Sequence, residues 1–161
     1  MNKRKDSSHR RSPHEISQEI LHAHGKLHDM VREVLVIAEG DPATCHERDD
    51  IDRDAQLLEE FKDAVVDHFE CEERDGFMDS ILFERPEFSN KVIFLKVEHR
   101  EIGDELEAIC VEFRAHSQES APYSASLMSR IKKAVSILRA HEGVENELLQ
   151  RAFYRDSGPS D

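Results

Sequence analysis

The chain has 161 residues, of which 35% are charged and 6% aromatic, with no tryptophan and a formal net charge of −13. That length fits one domain able to bury a core without covalent staples. The acidic balance repels nucleic acid and attracts cations, and no apolar run is long enough for a membrane span.

The charge is unevenly placed. The first eleven residues hold five Lys or Arg against one Asp. This basic start reads as a flexible tail rather than a contact for an anionic partner. It lacks the apolar stretch of a secretion signal, which leads us to expect a cytoplasmic protein. Residues 1–12 are expected to form this disordered tail, 13–154 a single helical domain and 155–161 a second disordered tail.

In chain order, Ser12-Pro13 is a helix start, a capping residue followed by proline at the first helical position. The first helix is predicted from about Pro13 to Glu39, ending at Gly40-Asp41-Pro42. A polar loop through Cys45 and His46 leads to a second helix, Ile51 to Ser80, whose end is blurred by Gly76 and Pro86. Ser89 is placed to cap a third helix running to about His116. The fourth is predicted from Ser124 or Ser126 to Tyr154. Four long helices with short connections favour an all-α, up-down-up-down antiparallel four-helix bundle.

Each helix carries an apolar stripe with a histidine within it. The stripes are Ile20, His24, Leu27, Val31, Val34; Leu58, Phe61, Val65, His68, Glu72; Val92, Leu95, His99, Ile102, Leu106; and Leu138, His141, Glu145, Leu148. Such spacing lines one helix face, and that face goes inward. The pattern therefore predicts His24, His68, His99, His141, Glu72 and Glu145 inside the core. Buried polar and charged groups are unfavourable unless paired or bound to a metal, and a metal site accounts for all six together.

Depth supports this grouping. At about 1.5 Å per residue, His24 and His68 stand roughly 24 Å from the first connection. His99 and His141 are equally matched about the last connection, so all four fall on one level. A weak internal repeat relates the halves. The separation from His24 to His68 is 44 residues and from His99 to His141 is 42, and each half supplies one His and then a His-x3-Glu. Such a two-fold arrangement suits two metals. In His-x3-Glu, both side chains share one helix face and can reach one ion or bridge two. Imidazole with carboxylate suits iron or manganese, and zinc less well.

At Ala23-His24-Gly-Lys-Leu27, His68-Phe-Glu-Cys-Glu72, Glu98-His99-Arg-Glu-Ile102 and His141-Glu-Gly-Val-Glu145, the chain resembles the hemerythrin-like (HHE cation-binding) family. The resemblance implies a four-helix bundle holding a non-haem di-iron centre, with two Fe ions, or Mn or Zn in their place. It further implies that His24, His68, His99 and His141 bind the metal, while Glu72 and Glu145 act as terminal or bridging ligands. A small ligand such as O2 is the implied partner; the charge and hydropathy above lead us to expect no nucleic acid and no membrane, and any protein partner is unknown. The family's oxygen carriers have a second histidine where this chain has Gly103, and an aspartate where it has Asn146. Both departures weaken the case for reversible oxygen carriage and leave room for an open coordination position.

Around this core, His28 is either a replacement ligand or an exposed flanking histidine. Glu98 and Glu101 read as solvated or outer partners of the site, and Glu70, Glu73 and Glu147 as surface charges. Of the three cysteines, Cys71 and Cys110 are expected as reduced packing residues, and Cys45 as a loop residue open to reaction. The expected function is oxygen or small-oxidant binding or reaction. The alternatives are iron or oxygen sensing or storage without turnover, and a metal-free helical interaction module.

Overall fold

The computed structural model describes residues 12–40, 48–74, 76–119 and 123–154. The expected tails, apart from Ser12, lie outside these residues, as do Cys45 and His46. The described residues are helical, with no strand among them: α1 (Pro13–Glu39), α2 (Arg48–Arg74), α3 (Phe77–Glu84), a 3-10 turn (Pro86–Phe88), α4 (Ser89–Glu119), α5 (Ala125–Leu149) and a π turn (Gln150–Tyr154). The four long helices close a ring of neighbours, α1 against α2 and α5, and α4 against the same two.

Local chemistry explains most boundaries. Ser12 Oγ accepts from Glu15 N while the Glu15 carboxylate accepts from Ser12 N, a reciprocal box that ties off the free amides opening α1. The second helix begins at Arg48 rather than Ile51. Its first turn is polar and invisible to apolar periodicity, but its aspartates favour a helix N-terminus. At its far end the single helix expected to Ser80 is broken. Gly76 sits at φ 88°, a left-handed conformation that favours glycine, and the chain restarts there as α3.

Ser89 does not cap the next helix. Pro86 opens a 3-10 turn, Ser89 is already helical at φ −50° and ψ −46°, and its N–H donates to Pro86 O. Of the two serines offered for α5, Ser124 takes the capping role, accepting from Leu127 N at 3.0 Å. The last helix ends at Leu149 and widens into the π turn, with Ala152 and Phe153 half-buried against the core. Cys110 is buried, and burial pushes its thiol up to about 12. Cys71 is exposed rather than packed as expected.

The stripes face inward. Two separate apolar clusters fill the interior. The larger includes Leu27, Val65, Ile102 and Leu138, and the smaller includes Ile20, Leu95, Ile81 and Leu148, with α3 seated in it. Three of the histidines fall between a member of one cluster and a member of the other. Ile20 and Leu27 flank His24, Leu95 and Ile102 flank His99, and Leu138 and Leu148 flank His141 with Glu145. A polar layer thus separates two apolar cores. No helix among the described residues is long and apolar enough to cross a membrane.

Candidate metal centre

Six polar residues of the layer are removed from water: His24 3% exposed, His68 7%, Glu72 0%, His99 4%, His141 1% and Glu145 0%. They converge. Glu72 reaches from α2 with Oε1 3.2 Å from His68 Nε2 and 3.8 Å from His24 Nε2, while its Oε2 lies 3.4 Å from His99 Nε2. Glu145 reaches from α5 with Oε2 3.2 Å from His24 Nε2, and with Oε1 3.0 Å from His141 Nε2 and 3.6 Å from His99 Nε2. Each carboxylate therefore turns one oxygen to the His24/His68 pair and the other toward the His99/His141 pair. Two overlapping groups result, His24, His68, Glu72, Glu145 and Glu72, His99, His141, Glu145, either of which could hold a metal ion.

The residues fit a cation better than they fit one another. Both oxygens of Glu72 and of Glu145, both ring nitrogens of His24, and His68 Nε2 are buried without a hydrogen-bond partner. Native interiors rarely leave such groups unsatisfied. His99 Nδ1 faces Glu73 Oε1 at 2.9 Å and His141 Nδ1 faces Glu98 Oε2 at 3.0 Å. Those contacts assign the proton to Nδ1 in both rings. The two Nε2 atoms then stand 3.0 Å apart, where one shared proton at most can lie between them. Metal–ligand bonds of about 2.1 Å set neighbouring ligand atoms about 3 Å apart, and the nitrogen–oxygen separations in this cluster run from 3.0 to 3.8 Å.

Electrostatics bind the six groups together. Burial disfavours the charged imidazole of His24, but Glu145 and Glu72 outweigh it and hold its pKa up at about 10. His99 is pushed up to about 9 by Glu145, Glu72 and Glu73 against the same burial. His141 is raised in the same manner by Glu145 and Glu98. Burial acts to raise both carboxylates, yet the surrounding imidazoles prevail, holding Glu72 below its ordinary value and Glu145 well below.

The flanking residues divide unexpectedly. His28 does not join the cluster; it is exposed, and its Nε2 contacts Glu142 Oε2 at 2.8 Å. Glu142 was missed by the sequence reasoning, yet it is 2% exposed. It lies off the α5 stripe, so apolar spacing could not find it; its only signal was a carboxylate adjoining a core histidine. Glu73, expected as a surface charge, backs His99, and Glu98 backs His141. Glu147 pairs with Arg151 and Lys91 at the surface, as expected of it. A groove of about 790 Å³ between α2 and α4, lined by Phe69, Glu73, His99 and Gly103 among others, leads from solvent to the outer edge of His99. Phe69 stacks on that imidazole with ring centroids 4.1 Å apart. A Cβ at Gly103 would meet Val66 at 3.7 Å, an ordinary contact, and the glycine forms part of the groove wall.

Fold and cluster define a helical protein with a buried His/Glu layer suited to cations. The family model for the hemerythrin HHE cation binding domain matches residues 15–153, and the chain belongs to that family. No curated protein and no solved structure matches the chain.

Proposed function

We propose that the protein is a non-haem di-iron protein that binds or reacts with oxygen or a related small oxidant, built on an up-down-up-down four-helix bundle. The observation that carries this reading is the pair of buried ligand groups that share Glu72 and Glu145. His24 and His68 would hold one ion, His99 and His141 the other, and the two carboxylates would bridge them. Bound there, iron would supply an open coordination position and one-electron chemistry toward the small ligand.

The chain's own residues set the conditions for that chemistry. Glu73 and Glu98 orient the imidazoles of His99 and His141 through Nδ1. The apolar clusters on either side exclude bulk water from the layer. The groove beside Gly103 offers a small molecule its approach. Four protein ligands for each ion leave room for an exogenous one. The acidic body and the absence of a spanning helix among the described residues support action on a small diffusible ligand away from nucleic acid, and we place it in the cytoplasm.

Metal analysis of anaerobically purified protein is expected to return two irons per chain. Its absorption spectrum is expected to change on exposure to oxygen and to revert on reduction. Protein with no bound metal, or with zinc alone, would overturn the proposal.

A further inference from the structure

The two ligand groups match in their inner residues but not in what stands behind them. The internal repeat makes the comparison direct. Glu73 follows the bridging Glu72, whereas Asn146 follows the bridging Glu145. Glu98 precedes His99, whereas Ala23 precedes His24. On one side, His99 Nδ1 and His141 Nδ1 each meet a carboxylate, at 2.9 and 3.0 Å. On the other, His24 Nδ1 and Asn146 Oδ1 are both buried without a hydrogen-bond partner, and His68 has no carboxylate behind it among the described residues. Glu142 lies near His24 and adds to the field there. However, its Oε2 is taken by His28 and its Oε1 has no hydrogen-bond partner, so it does not fix the ring.

A carboxylate that accepts the Nδ1 proton fixes the imidazole tautomer and orientation and makes Nε2 a stronger donor to metal. We propose that the two cation positions are unequal: the His99/His141 position, backed by Glu73 and Glu98, fills first and holds its ion more tightly, and the His24/His68 position is the exchangeable one. This rests on the di-metal reading above and adds an order of loading to it.

Repulsion between the ions weakens a second binding step in any such centre, so location and variants decide the matter. Anaerobic calorimetric titration with Fe(II) is expected to show two steps. Crystals grown with one equivalent of Fe(II) are expected to show the anomalous iron peak between His99 and His141. Glu98→Gln and Glu73→Gln should each weaken the first step by about 10–100-fold and leave the second within a few-fold. Asn146→Glu, which places a carboxylate where Glu73 stands in the other half, should tighten the second step. A first iron at His24/His68, or one shared equally between the positions, overturns the order while leaving the di-iron reading intact. Equal weakening of both steps in the Gln variants marks a merely structural role and also overturns it. Failure to bind iron at all removes both proposals together.

Discussion

Protons and cations compete for the same nitrogens in this layer. With His24 held up at about 10 and His99 at about 9, both are protonated near neutrality in the metal-free protein, whereas a metal requires them bare. Loading at pH 7 should therefore release at least two protons per chain, measurable by titration in weakly buffered solution. The same shifts set the pH dependence of the metal-free fold. A raised folded pKa gives stability that is complete below the ordinary imidazole value of 6.5 and is lost as pH rises through the folded value. The metal-free melting temperature should thus fall between about pH 7 and 10, because His24 and His99 lose protons that balance Glu72 and Glu145. The depressed carboxylates act in the opposite sense, contributing stability that is lost as pH falls through their lowered values. Metal-loaded protein, with cations in place of those protons, should show a flatter profile over the alkaline range.

At the scale of the helices, the break between α2 and α3 is the feature most open to direct test. Gly76 at φ 88° lets the chain leave α2 and seat Phe77, Met78 and Ile81 in the smaller apolar cluster. A Cβ there meets no atom within 4 Å, so any penalty is one of backbone strain. Gly76→Ala should lower unfolding free energy by about 1–2 kcal/mol, read from the midpoint of urea denaturation, without altering the stoichiometry of any bound metal.

The same region marks where sequence reasoning gave out. Stripes with a helical period located all four long helices and their inward faces, because burial of apolar residues is what that period encodes. Ser12-Pro13 located the start of α1, because capping is local chemistry. The start of α2 among aspartates and the restart at Gly76 carry no apolar signature. The six buried residues of the layer were legible for the same reason as the core, since they occupy stripe positions. Glu73, Glu98 and Glu142 do not, and their partners His99, His141 and His28 come from other helices. Contacts between helices depend on packing angle and depth, which a single chain's periodicity leaves open.

For the molecule as a whole, a bound cation would take over from protons as the layer's counter-charge. Its carboxylates sit away from water without hydrogen-bond partners, and a cation that binds only the folded chain adds stability by mass action, about 2.7 kcal/mol per site at a hundredfold excess over Kd. Chelation should lower the melting temperature and speed proteolysis. An unchanged melting curve after complete metal removal would show that the layer balances its own charges.

Two apolar cores on either side of a polar layer also bear on cooperativity. Side-chain packing holds each core together, and helices shared by both cores cross a layer whose own side-chain contacts are between imidazoles and carboxylates. With a cation in place the layer would act as a rivet, and the domain should open as one unit. Without it the layer becomes a fault line, and the smaller core, carrying α3, should open before the larger. Native-state amide exchange would display this as one protection level in the loaded protein and two in the stripped one. The signal that metal has left would then be a loosening of the α3 end of the domain, the form in which a partner protein could recognise it.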